Sequence, residues 1–373
     1  MNNETVGHYN DNLMIGKHII KSFDIVPNLF LDMIKMNETN KVKVQLFDIY
    51  SDTIQNDDSL ELEMTNFTKD EAFLLVFGGW IPCTFIKQNT ILLADRNIVS
   101  EIIRRYKNGR KKINEELDSF DNIFLNNNIM LDISAFVIEG NERKIPTNSM
   151  IDEQVSTVTR DIKLALPNLK IAIYPKNNTY YHNIKNFLKP IIEYRMIFLQ
   201  EIAPKLNKQF TEKSREEAVN LVFKTAKKIK LKKDDIVIIL ALLRILMKGK
   251  KTAAQLLLKD SQTYSEENAY NAAFDLSTIE MLINLYTYHE KNTNYNIALI
   301  TKDKGLSLFN SLFYNTIIGN RADGKMQVKA KIPYSIFSDD EYLLETYQKW
   351  LKEDIWNLNN TTYNKFEETN NLP

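Results

Sequence analysis

A chain of 373 residues, 44% hydrophobic and 26% charged, is long enough for one large domain or two ordinary ones with a real core. Its single cysteine, Cys83, excludes an internal disulfide and a cysteine-held zinc cluster, and four scattered histidines (His8, His18, His182, His289) leave oxygen ligands as the expected holders of any metal. Forty-eight basic and 48 acidic side chains cancel, so global charge selects no partner. No apolar run reaches the roughly 18–20 residues of a membrane span, and the start, MNNETVGHYNDN, lacks the basic-then-apolar layout of a signal peptide. A cytoplasmic protein with no membrane attachment is the expectation.

Residues 1–88 read as a mixed α/β region. IGKHIIKSF and NLFLDMIK carry apolar residues at helical spacing, VKVQLFDIY alternates as a strand does, and TKDEAFLLVF reads as a capped helix broken at Gly78-Gly79. WIPCTFI and TILLA, separated by KQN, read as two strands of a hairpin. From Asp95 onward strands and helices alternate. NIVSEIIRRYK is a helix, and NIMLDISAFVIE another, ended by Gly140-Asn141. SMIDEQVSTVTRDIKLAL is a third, opened by Asn148 or Ser149 and stopped by Pro167. NLKIAIY is a strand, a helical block fills roughly 183–290, NIALIT is the next buried strand and MQVKAKI a later one. SDDEYLLETYQKWLKEDIWNL forms an amphipathic terminal helix, so 336–373 reads as helix plus polar tail.

Four carboxylates stand in unusual places. Asp95 and Asp303 close the apolar strands ILLAD and ALITKD. In a parallel α/β sheet strand C-termini form the edge where ligands sit, so two such strands side by side would bring both carboxylates to one spot. An aspartate there also caps the helix that follows, and both readings stand. Asn271, Asp275, Ile279, Leu282 and Tyr286 fall on one helical face. An aspartate in an apolar stripe is desolvated, which calls for a metal or a buried salt bridge. Glu139 ends a helix, where the dipole disfavours a negative charge; a metal would favour it, as would Arg143 or Lys144, and Asp152 and Glu153 compete for its role. Gathered carboxylates repel one another unless divalent cations neutralise them. Mg²⁺ or Mn²⁺ accepts such ligands while keeping waters, and makes a bound water nucleophilic near neutral pH.

These residues resemble the PIN-domain nuclease family, whose pattern is a strand ending Asp-x-Asn/Ser, a helical Glu, a helical Asp, and a strand ending Thr-x-Asp. The matches are LLADRN (Asp95, Asn97), FVIEGNERK (Glu139), YNAAFD (Asp275) and LITKDKGL (Thr301, Asp303). The resemblance implies an α/β fold with a parallel sheet flanked by helices over 89–335. It implies an Mg²⁺ or Mn²⁺ site in which Asp95, Glu139, Asp275 and Asp303 bind metal directly or through water, supported by Asn97, Asn271 and Thr301. The implied activity is endonucleolytic hydrolysis of RNA, less often DNA, and the family extends to toxin and phage-defence roles, with a protein regulator or a homo-oligomer as further partners. Between Glu139 and Asp275 lie 136 positions, which implies a helical insertion at about 183–262. A scaffold that binds nucleic acid or protein without cleaving, and a helical interaction protein with salt-bridged acids, are the competing readings.

RRYKNGRKK follows the first motif. Arg104, Arg105, Lys107 and Arg110, with Lys302 beside Asp303, are the expected phosphate contacts. Further basic stretches run from Lys224 to Lys233 and through MKGKK, and a solvated helix surface is the competing reading for each.

Overall fold

The computed structural model describes residues 6–9, 12–15, 18–26, 41–50, 60–65, 72–76, 79–81, 86, 89–113, 116–126, 129–174, 178–246, 252–259, 264–311, 314–320, 326–330, 337 and 340–352. The chain divides into two compact units: 1–136 with 156–172 and 278–331, and 137–155 with 173–277 and 332–373.

The first unit begins with strands β1 (Val6–Tyr9), β2 (Asn12–Ile15), β3 (His18–Val26), β4 (Lys41–Tyr50) and β5 (Leu60–Thr65), joined as antiparallel neighbours. IGKHIIKSF, read as helical from its spacing, is corrected: from His18 onward it belongs to strand β3, where Ile19, Ile20 and Phe23 pair with Tyr50, Ile49 and Leu46, and cross-strand pairing overrides a short helical pattern. NLFLDMIK lies outside the described residues. TKDEAFLLVF is corrected in the same way, since Phe73–Val76 forms strand β6, buried throughout. Its partner is β7 (Gly79–Ile81), so the expected hairpin of WIPCTFI with TILLA is replaced by a β6–β7 hairpin.

A central sheet follows. Strand β8 (Thr90–Ala94) leads into helix α1 (Arg96–Arg105), a small hairpin of β9 (Tyr106–Lys107) and β10 (Arg110–Lys111), and helix α2 (Ser119–Asn126). Strand β11 (Ile129–Asp132) runs into helix α3 (Ser134–Glu139), and α4 (Asn148–Ala165) leads to the short β12 (Lys170–Ile171). NIMLDISAFVIE is thus a strand and a helix in succession, where the sequence suggested a single helix. The sheet order is β12-β11-β8-β13-β6-β7, where β13 is Asn296–Thr301; β12, β11, β8 and β13 are parallel and β6 and β7 antiparallel. Thr90–Ala94 is buried along its whole length because β8 is interior, flanked by β11 and β13, and a parallel strand covered on both faces needs apolar side chains on both. The protein is accordingly α/β, with a mostly parallel central sheet flanked by helices. Two later strands, β14 (Tyr314–Asn320) and β15 (Met326–Ala330), join the first sheet through β3.

Helices dominate the second unit: α5 (Thr179–Leu206), α6 (Glu212–Ile229), α7 (Ile236–Leu246), α8 (Ala253–Leu258), the start of α9 (Glu266–Asn292) and α11 (Glu341–Lys352). In chain order α10 (Lys304–Ser311), of the first unit, falls between the last two and packs on β6 and β7. Helix α7, IVIILALLRIL, is buried all round from Val237 to Ile245. Its N-terminus is fixed by Asp235, whose Oδ1 accepts the Val237 N–H at 3.0 Å and the fully buried Arg195 Nε–H at 2.9 Å. Arg195 also donates to Ser277 at 3.1 Å, which ties α5 to α9. Phe223 stacks on Trp350, and Trp350 Nε1 donates to the Lys233 carbonyl, holding α11 on the bundle. Among the described residues no helix is long and apolar enough to cross a membrane.

Candidate functional site

The strand edge of the first unit is built from two similar endings. At the end of β8, Asp95 adopts an extended backbone (φ −71°, ψ 173°), and its Oδ1 accepts the Ile98 N–H at 2.8 Å to cap α1. Beyond β13, Asp303 Oδ1 accepts the Leu306 N–H at 2.7 Å and caps α10. Both aspartates are helix caps, as one reading held, yet each cap bond occupies only one carboxylate oxygen. Parallel pairing of Ala94 with Ile300 brings the two strand ends level. The buried Thr301 hydroxyl then donates to Asp95 Oδ2 at 2.5 Å and accepts the Asp303 N–H at 2.9 Å. One hydroxyl therefore fixes both acidic positions.

Burial pushes the Asp95 carboxyl up to about 6, although part of the residue reaches solvent. Hydrogen bonds from Thr301, Ile98 and Lys302 oppose the rise, and the charge of Asp303 adds to it. This is the state of a desolvated carboxylate with a second negative charge nearby, and it is relieved by a proton or a cation.

A third strand ending was missed. Asp132 closes β11, lies opposite Leu93 in the sheet register, and is fully buried, with Oδ1 accepting the Ser134 N–H at 2.7 Å to start α3. The signal was the Asp-x-Ser of IMLDIS, an Asx turn between strand and helix, hidden because the two short elements run together into one amphipathic pattern. Asn97 is exposed on the first turn of α1. The neighbouring Arg96 donates to the Phe136 carbonyl at 3.2 Å, with its guanidinium 4.5 Å from the Phe136 ring centroid.

The other two expected acids belong to the second unit. Glu139 is the half-buried last residue of α3, and Tyr270 Oη donates to its carbonyl at 2.6 Å. Asp275 and Asn271 lie four residues apart on α9, both half-buried. The apolar-stripe reading of this helix is corrected: from Ala269 to Leu282 nearly every position is buried, and Asn271, Asp275 and Glu280 are the partly exposed ones. Asp275 thus marks the wetter side of a buried helix. Burial and the Asp275 charge together push the Tyr264 phenol up. Among the described residues, no group of three or more His, Cys, Asp or Glu is arranged to hold a metal ion.

The basic stretch after α1 is drawn into ion pairs. Arg105, 8% exposed, meets Glu101 at 3.2 Å, Asp118 at 2.9 Å and Asp121 at 3.0 Å. Lys111 reaches Asp121 at 2.9 Å, and Tyr106 Oη donates to it as well. Arg104, largely exposed, pairs with Glu101, which also attracts Lys302 at 3.6 Å. Lys107 and Arg110 are exposed on the β9–β10 hairpin.

Compared with known protein families, with curated proteins and with solved structures, the chain matches none.

Proposed function

We propose that the protein is a metal-dependent phosphodiesterase of PIN-like type that hydrolyses nucleic acid, RNA in the first place, at the edge bearing Asp95 and Asp303. The observation that carries this reading is the pair of aspartates on adjacent parallel strands, joined through Thr301, with the Asp95 carboxyl raised to about 6. The donor set fits Mg²⁺ or Mn²⁺, which binds through one or two carboxylates and otherwise keeps water. Both aspartates spend one oxygen on a helix cap and hold their carboxylates on rigid strand ends. When bound, such a cation polarises a phosphoryl oxygen and lowers the pKa of a coordinated water.

The chain's own residues set the conditions. Thr301 keeps the Asp95 carboxylate aimed, and the Asp303 amide fixes the Thr301 hydroxyl in turn. Above pH 6 Asp95 is ionised and available as a donor; below it, a proton occupies the position a cation needs. Glu139 and Asp275 enter as the sequence's expectation for the rest of the acidic set, and Lys302 as an expected phosphate contact.

The test is cleavage of single-stranded RNA, structured RNA and DNA in EDTA, Mg²⁺ or Mn²⁺ by the full chain and by Asp95→Asn, Asp303→Asn, Glu139→Gln and Asp275→Asn. Cleavage that requires the metal and falls roughly 100-fold or more in the first two variants supports the proposal. Parent-rate cleavage by folded Asp95→Asn contradicts it. Loss in both Glu139→Gln and Asp275→Asn as well would extend the set to four acids.

A further inference from the structure

A cleft of about 530 Å³ opens in the second unit, and its wall is rich in cations. Arg143 and Lys144 come from the turn that follows Glu139, and Lys185 and Lys189 from successive turns of α5. Glu193 and Glu266 are the acids that line it, so basic side chains outnumber acidic ones there.

The cations differ in how firmly they are held. Arg143 pairs with Glu267 and Lys144 with Glu142, but these groups are about half exposed or more, and exposed pairs exchange readily for a better anion. Lys185 Nζ donates at 2.6 Å to Asn148 Oδ1, a neutral acceptor that does not offset its charge. Lys189 stands 3.9 Å from Glu193, at the limit of an ion pair. Two lysines four residues apart are about 6 Å apart along a helix, comparable to successive phosphates of an extended strand.

The cleft adjoins one of the expected acids, Glu139, within the same unit. Tyr270 lines it and donates to the Glu139 carbonyl at 2.6 Å, and Arg143 and Lys144 follow Glu139 by only a few residues. We infer that this cleft seats the phosphodiester backbone of a nucleic-acid strand, with Lys185 and Lys189 as its principal phosphate contacts and Arg143 and Lys144 released from their surface pairs to join them. The inference deepens the nuclease reading and rests on it for the identity of the polymer. It adds phosphate contacts in the second unit to those expected of the basic stretch that ends α1, where Arg105 is engaged by Glu101, Asp118 and Asp121.

Binding is measured by fluorescence anisotropy with labelled single-stranded RNA and DNA, in EDTA so that no cleavage intervenes, across a salt series. The parent is compared with Lys185→Gln/Lys189→Gln and with Lys349→Gln/Lys352→Gln, a control on the exposed face of α11. Thermal melts confirm that each variant is folded. The cleft variant should bind about tenfold more weakly at low salt, with the slope of log K against log salt reduced by about 1.4 for two lost contacts, while the control binds like the parent. Unchanged affinity and slope in the folded cleft variant would overturn the inference, as would a parent that binds neither polymer. Tighter binding of poly-glutamate than of RNA would reassign the cleft to an acidic protein segment and overturn it too. Cleavage in Mg²⁺ is scored separately: binding lost in the cleft variant, with no cleavage by the parent, supports the cleft while contradicting the hydrolase.

Discussion

Asp121 and Asp95 are both partly or wholly withdrawn from water in the first unit, and their proton affinities move in opposite directions. Burial alone would raise the Asp121 carboxyl, but Tyr106, the Asp118 amide, Lys111 and Arg105 all donate to it and hold it well below the usual carboxylate range. Burial raises Asp95 too, and there the hydrogen bonds from neutral groups do not offset it, while Asp303 adds a second negative charge. Company, more than depth, decides the sign. The Asp121 cluster is electrostatically complete and reads as structure, whereas the strand edge retains a demand for positive charge.

The largest effect that sharpens this contrast is expected at Asp121. Asp121→Ala takes one carboxylate from both Arg105 and Lys111 in a buried setting, leaving Arg105 to Glu101 and Asp118, and should cost about 3 kcal/mol in urea unfolding. Its pH signature follows from the depressed native pKa: the contribution is full above pH 4, where the unfolded carboxyl is ionised, and is lost as pH falls further. A variant as stable as the parent would remove the cluster from the structural account.

Next comes cation binding. Saturating Mn²⁺, at about 100 times its Kd, should stabilise the parent by about 2.7 kcal/mol in thermal melts at pH 7.5 and leave Asp95→Asn/Asp303→Asn unmoved. Equal stabilisation of both would point the cation elsewhere. Thr301→Val follows, because it leaves Asp95 Oδ2 and the Asp303 N–H without the hydroxyl that joins them, at a cost of about 1–3 kcal/mol by denaturant titration. A neutral result would mean that the two acids are positioned independently.

The smallest effect is at Asp95 itself and has the opposite sign to Asp121. Its native pKa is raised, so its contribution to stability falls as pH rises from about 4 to about 6 and stays unfavourable above that. Asp95→Asn keeps an N-cap residue and removes the charge, so without metal it should match the parent near pH 4 and exceed it by on the order of 1 kcal/mol at pH 7.5. A destabilised variant at pH 7.5 would show the charge to be balanced within the fold.

The two strand endings were legible in the sequence because TILLAD and NIALITKD each join a run buried on both faces to a polar residue, a pattern that periodicity and composition detect locally. The stripe on α9 was read correctly as helical and wrongly as one-sided: small and apolar residues such as Ala272, Ala273, Leu276 and Ser277 are buried as well, and burial on every side erases the amphipathic signal. Asp132 was lost because IMLD and SAFVIE are four and six residues long, too short for either period to declare itself. The N-terminal strands β3 and β6 read as helices because their short apolar runs also fit a helical spacing; pairing decides the outcome, with β2 and β4 on β3, and with β7 and the distant β13, more than 200 residues away, on β6. Nothing in the spacing of RRYKNGRKK announced that Arg105 would be buried against acids from Glu101 to Asp121.

The most direct test of the central claim is a Mn²⁺ titration followed by the electron paramagnetic resonance of the free ion, on the full chain and on Asp95→Asn/Asp303→Asn, at pH 7.5 and pH 5. The account predicts saturable binding by the parent at pH 7.5, weakened at pH 5 as Asp95 takes up its proton, and abolished in the variant. Binding of equal strength in a folded variant, or none by the parent at pH 7.5, would contradict the assignment of this strand edge as a cation site.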